Sequence, residues 1–370
     1  MRETHLDGLR GWAAVIVLLH HAIPRFFALE DQVYGILPVV VDGALAVYVF
    51  FVLSGYVLTV QFFRDGERRG VVDLALRRYP RLTIPILASS FVAYLLLKAS
   101  MMASDSAGAM LHSEWLARLY RFQPDFLEML RSSLWGVYLP SGRTYNEAVL
   151  WTMCLEMRGS IYLFVMMLVI GRSFITRALG LYLVLWYTMG TPFFAFFLGA
   201  WIAWASQSPL WARAVSWRMT PILSCALLII ALCVAGTRGT HRVLLPACAA
   251  VVVAAVLLGR WCWPALSSSA SQFLGRISFP LYLVHGLILC SVSSQVYLAL
   301  VTSRGIDGRV ASVATLLIGI AASFAAATAF MPIERFAVRA GRWVSKSVMG
   351  AFTRGLLPFR KSLNTQPAPL

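Results

Sequence analysis

The sequence predicts an all-α polytopic membrane protein of about ten transmembrane helices with both termini in the cytoplasm. Three observations predict it. Of 370 residues 59% are hydrophobic and 13% charged, with a mean hydropathy of +0.73, a balance that water-soluble domains do not reach. Apolar stretches recur from end to end. The 32 Lys and Arg, against 16 Asp and Glu, also fall unevenly between alternate connections.

The stretches lie at residues 9–28, 37–62, 82–103, 149–171, 178–190, 192–205, 220–236, 243–259, 277–299 and 311–332. The first is read as a retained span, because an apolar core carrying His20 and His21 and followed by Pro24 and Arg25 makes a poor cleavable signal. With residue 1 inside, even-numbered crossings return the chain to Arg64, Arg68, Arg69, Arg77, Arg78 and Arg81, then to Arg172 and Arg177, Arg213 and Arg218, and Arg260 and Arg276. Together with Arg2, Arg10 and the basic tail these outnumber the outer positives, such as Arg118, Arg143, Arg238 and Arg242, by roughly two to one. Met189-Gly190-Thr191-Pro192 decides the parity. Read as a turn it keeps ten spans, and read as a kink it would place the basic tail outside.

The net charge of +16 would suggest nucleic acid in a soluble protein. Here it is assigned to inner loops facing anionic lipid, so membrane lipid is an expected partner and nucleic acid is not. The six cysteines sit mostly in apolar runs with no C-x-x-C pair, and read as small buried hydrophobes rather than a disulfide or metal set. Residues 104–148 form a long, aromatic-rich connection, either a folded external cap or an interfacial aromatic belt. The division expected is an integral-membrane domain over 1–334 and a basic cytoplasmic tail over 335–370. Arg335, Arg339, Arg342 and Lys346 recur there at helical spacing, as in a helix lying on the inner surface.

Ionisable side chains inside spans are costly and mark function. Arg10 and His21 stand eleven residues apart, roughly 20° past three full turns, so they share one helical face about 16 Å apart. Glu156, Arg158 and His285 lie in later spans. Taken by themselves these charges fit a secondary transporter better than an enzyme, although the two related halves with broken helices expected of one are not visible.

The surrounding residues change that balance. LDGLRGWAAVIVLLHH over 6–21, FFVLSGYVLT over 50–59, RRYPRLTIP over 77–85, LWTMCLEMRGSIY over 150–162 and ISFPLYLVHG over 277–286 follow in this order. Together they resemble the acyltransferase 3 family of integral-membrane, acyl-CoA-dependent O-acyltransferases, from residue 6 to the IER element at 333–335. The resemblance implies transfer of an acyl group, here expected to be acetyl, from acyl-CoA to a hydroxyl of a cell-surface or exported carbohydrate. A lipid or macrolide-like acceptor would use the same chemistry. The protein is then a multi-pass protein of the cell (inner or plasma) membrane, with acetyl-CoA as donor substrate, no tightly bound cofactor and no metal.

The resemblance selects His21, not His20, as the general base, and imidazole titrates near working pH. Arg10, Arg77, Arg78 and Arg81 are the expected contacts to the CoA phosphates, because guanidinium forks suit phosphate. An ordinary positive-inside anchor remains the competing reading of that cluster. Glu156 matches the family's acidic residue and is the second catalytic candidate, with the histidine, an acceptor hydroxyl or an arginine as possible partner. Trp151 and Tyr282 are expected at the substrate, and His285 on the donor channel. Ser54 and Gly55 are read as allowing close helix packing rather than as a nucleophile. Two acidic positions of the family are absent, since Tyr48-Val49 and Met157 stand there. That leaves Asp42 or Glu156 to serve.

Overall fold

A computed structural model describes residues 3–29, 42–142, 144–171, 173–237 and 243–363, with no strand among them. Arg2, Arg143, Arg172, Arg238 and Arg242 lie outside the described residues. The membrane-spanning candidates are α1 (Thr4–His20, extended by a π-helical turn to Arg25), α2 (Gly43–Asp65), α3 (Arg68–Lys98), α7 (Trp151–Val169), α13 (Ser269–Ile288, continuing to Ser303) and α14 (Gly308–Leu363). Between α3 and α7 come α4 (Ser104–Leu111), α5 (Glu114–Ala117) and α6 (Phe126–Leu134). After α7 come α8 (Phe174–Thr188), α9 (Phe193–Ala205), α10 (Pro209–Ser216), α11 (Thr220–Ala235) and α12 (Leu244–Gly259).

Among the described residues six helices are long and apolar enough to cross a membrane, or seven if α9 and α10, bent by 83°, form one broken span. That is fewer than the ten stretches expected as crossings. The remaining stretches are helical but short: α8 has 15 residues and α11 and α12 have 16 each, about 22 to 24 Å against a hydrocarbon core of roughly 30 Å. Apolarity was legible; helix length was not. Tyr187, Ile229, Ile230, Val313 and Leu317 are exposed, as lipid-facing side chains are and core side chains in water are not. The protein is a multi-pass membrane protein.

Local chemistry sets the ends. Asp42 Oδ1 accepts the Leu45 N–H at 2.9 Å and caps α2, which ends at Gly66 in the left-handed region. The 189–192 stretch is a turn, with Gly190 at φ +80°. The Phe174 ring at the start of α8 lies 5.2 Å from Trp204 at the end of α9, so the two helices fold back as a hairpin.

α1 and α13 run side by side in the same direction. Thr4 Oγ1 and Ser267 Oγ are hydrogen-bonded at 3.0 Å, Gly11 abuts Gly275, and His21 meets His285. The register is therefore held over the whole length of α1. The glycine pair makes this possible, because a Cβ on Gly11 would stand 2.5 Å from the Gly275 nitrogen. α2 lies antiparallel to α1, with Gly43 beside the His20 ring and Tyr56 donating to Glu3 at 3.3 Å.

The 104–148 connection is a folded cap. Ser113 Oγ donates to the Arg25 carbonyl at 2.6 Å, and Asn146, fully buried, donates to the Leu283 carbonyl at 2.7 Å. Trp115 and Tyr120 turn inward, whereas Trp135 is exposed, so only part of the aromatic set is available to an interface. At the other end α14 continues through Pro332 and Glu334 without a break. Gly341 of α14 packs on Arg77, and Ser345 donates to Asp73. The tail is thus docked along α3 as an extension of the last span, and residue 334 falls inside one helix.

Candidate active site

His21 follows the α-helical part of α1 and opens a π-helical turn, His21–Arg25, that contains Pro24. Proline has no N–H for the usual i−4 bond, and the ladder reforms one residue wider, with the Phe26 N–H reaching the His21 carbonyl at 3.0 Å. Pro24 was the visible signal for this distortion beside the histidine.

Two backbone carbonyls fix the imidazoles. His285 Nδ1 lies 3.0 Å from the Leu281 carbonyl, and His21 Nδ1 lies 2.9 Å from the Val17 carbonyl. A carbonyl only accepts, so in the neutral rings both Nδ1 atoms carry the proton. His285 Nε2 is then an acceptor, and it sits 3.2 Å from His21 Nδ1, sharing that N–H with Val17. His21 is left with an unprotonated Nε2. His285, 1% exposed, lies behind His21. Sequence spacing could not find this pair, since 264 residues separate the two. The signal was each histidine's equal offset of ten from Gly11 and from Gly275.

His21 lines a cavity of about 610 Å³ with His20, Arg25, Trp115, Glu147 and Trp151. The Trp115 indole from the cap lies 5.1 Å from the His21 ring. His20 is edge-on to His21 and accepts from Arg25 Nε at 3.5 Å. Trp151 is exposed on the wall.

A smaller cavity of about 120 Å³ shares Val47 and Phe51 with the first. Its polar wall holds Ser54, Arg78, Thr152, Glu156 and Tyr282. Glu156 pairs with Arg78, and Ser54 Oγ donates to the same carboxylate at 2.6 Å. Of the three partners considered for Glu156, the structure holds an arginine there. Tyr282 is buried, with its hydroxyl 2.9 Å from the Val149 carbonyl and 2.6 Å from Thr152 Oγ1. The role of Ser54 was not legible in the sequence, whereas Gly55 does pack on the Phe196 carbonyl. Asp42 caps α2. Arg158 points elsewhere, its guanidinium 5.2 Å from the Phe193 ring.

The small cavity shares Arg10, Arg81 and Glu334 with a third one, of about 640 Å³, at the basic end. Arg10 pairs with Asp7 at 2.8 Å and Arg77 with Asp73 at 2.6 Å. The four arginines expected at phosphate stay close together: Arg10, Arg78 and Arg81 line the small cavity, Arg10 and Arg81 also line the third, and Arg77 joins Arg78 and Arg81 on a fourth, smaller cavity. Among the described residues no three His, Cys, Asp or Glu side chains converge as a metal site.

A basic chamber, a narrow polar neck and a histidine chamber thus follow one another through the bundle. The family model described as an acyltransferase domain covers residues 4–331. The chain belongs to the acyltransferase 3 family. In this acyltransferase all five motif segments contribute residues to the wall of the small central cavity. The O-acetyltransferase PaAT-1 of Phomopsis amygdali is 26% identical over 361 aligned positions, covering 77% of this chain and 71% of that protein. No solved structure matches the chain significantly. The motifs at 6–21, 50–59, 77–85, 150–162 and 277–286 all fall inside the matched range.

Proposed function

We propose that the protein transfers an acetyl group from acetyl-CoA to a hydroxyl of a cell-surface or exported carbohydrate, across the inner or plasma membrane. The observation that carries this reading is the row of three cavities joined by shared walls, arginine-rich at one end and with His21 at the other. A polyanionic donor enters from the cytoplasmic, basic side. Its thioester arm passes Arg10 and the neck, and the acceptor enters beneath the cap.

His21 Nε2 takes the proton of the acceptor hydroxyl as its oxygen attacks the thioester carbonyl. The C–S bond of the tetrahedral intermediate then breaks, CoA leaves as thiolate, and the imidazolium returns the proton to sulfur. His285 and the Val17 carbonyl hold Nδ1, so the ring presents a base rather than a donor. Glu156, Arg78 and Ser54 act one step away, shaping the neck through which the arm reaches His21. An acetyl donor is further supported by the similarity to PaAT-1, an O-acetyltransferase.

The test is purified protein in bilayers with labelled acetyl-CoA and candidate glycans. His21→Ala is expected to lose on the order of 10²-fold or more in transfer, with His20→Ala retaining most of it. Full transfer by the His21 variant refutes the assignment of the base. Labelling of co-purified lipid with every glycan left unlabelled refutes the carbohydrate acceptor.

A further inference from the structure

We infer that the part of the C-terminal helix α14 beyond residue 331, where the family match ends, completes a polyphosphate site: Arg335, Arg339 and Arg342, with Arg276 of α13, hold the phosphates of the acyl donor. The inference rests on the donor assignment above and names the residues that would recognise the donor. Four helices meet at the third cavity. α1 supplies Arg10, α3 Arg81, α13 Arg276, and α14 supplies three arginines at i, i+4 and i+7 on one face.

Six guanidiniums then face one carboxylate, Glu334. Among the described residues no carboxylate lies within ion-pair distance of Arg81, Arg276, Arg335, Arg339 or Arg342. Like charges at one turn's spacing repel, so this wall is stabilised when an anion occupies it. Arg10 adds a second sign, since its Nε is buried without a partner while its Nη2 holds Asp7.

Shape favours several phosphates over one. Arg335 and Arg342 are seven residues apart, about 10 Å along the helix, and the cavity of about 640 Å³ accommodates a diphosphate and a separate phosphate monoester. The wall is also fixed. Ser345 donates to Asp73, and a Cβ on Gly341 would stand 3.1 Å from the Arg77 carbonyl oxygen, so the α14 face is pinned to α3. A phosphate of an anionic lipid headgroup has the same chemistry. The inward opening to the neck through Arg10 and Arg81 favours the donor, whose thioester must continue toward His21.

The experiment titrates adenosine 3′,5′-bisphosphate, which has phosphates but no thioester arm, into the full chain in phosphatidylcholine nanodiscs. Wild type is expected to bind saturably, and Arg339→Gln/Arg342→Gln and Arg276→Gln, on different helices, to weaken binding about tenfold or more at unchanged thermal midpoint. The same variants should lower kcat/KM for acetyl-CoA about tenfold or more relative to S-acetylpantetheine, which lacks the nucleotide phosphates. Absence of binding in wild type, equal binding in all variants, or displacement of the bisphosphate by phosphatidylglycerol in the discs would overturn the proposal. Bisphosphate binding that depends on these arginines, in a protein that transfers acetyl from neither donor, would uphold the phosphate site and count against the transfer reading alone.

Discussion

Gly11→Ala should damage catalysis from about 15 Å away, because the α1–α13 contact sets the distance between the two histidines. The Cβ added at Gly11 would stand 2.5 Å from the Gly275 nitrogen, 2.6 Å from the Leu274 carbonyl carbon and 2.7 Å from Leu274 Cβ. Two of those atoms are backbone, so no rotamer change relieves the clash. Ordinary contact begins near 3.4 Å, and the helices must part by about 1 Å, at a packing cost of about 1–3 kcal/mol. His21 and His285 stand ten residues beyond Gly11 and Gly275, in the same direction. If the separation carries along the parallel pair, their 3.2 Å contact opens to about 4 Å, past hydrogen-bond range. His21 is then held through Nδ1 by Val17 alone, and its Nε2 swings relative to the neck. A misplacement of this size costs on the order of 10- to 100-fold in kcat/KM. The assay is acetyl transfer at saturating acceptor, with thermal unfolding of the same preparation. Gly70→Ala is the control: nothing lies within 4 Å of the added methyl, and helix propensity should raise stability by about 0.5–1 kcal/mol at unchanged activity. Wild-type kcat/KM in a folded Gly11→Ala protein would refute the claim that this crossing positions His21.

Two further outcomes follow from buried and capped groups. Glu156→Ala leaves Arg78, whose side chain is 10% exposed, without its partner and should cost about 3–5 kcal/mol, with Arg78→Leu/Glu156→Leu recovering a large part of that in thermal unfolding; equal stability of the single and double variants would contradict a buried pair. Asp42→Ala should cost about 1 kcal/mol by uncapping α2 while transfer is retained, and a catalytic collapse in a stable Asp42→Ala protein would return that carboxylate to the mechanism.

How much could be read from the chain differs from residue to residue. Arg10 and His21 were legible because both lie on one helix, where residue number converts directly into height and angle. Glu156 was legible as a candidate but its partner was not, since Arg78 lies on another helix 78 positions earlier. Arg77, Arg78 and Arg81 were grouped because guanidinium forks suit phosphate and Arg77 and Arg81 stand one turn apart. The structure keeps all three on one cavity wall, and what it adds is the partner of Arg78, Glu156, on another helix.

The sequence by itself determined the class: a membrane-embedded acyltransferase, with its helices marked by apolar runs and its histidine marked by motif. Those are properties of composition and of local period, which survive without any knowledge of neighbours. Only the tertiary structure decided how long each helix runs, that His285 backs His21, and that the tail helix walls the basic chamber. Each of these depends on where helices stop and which faces meet, and packing sets both through contacts such as Gly11 on Gly275, between residues far apart in the chain.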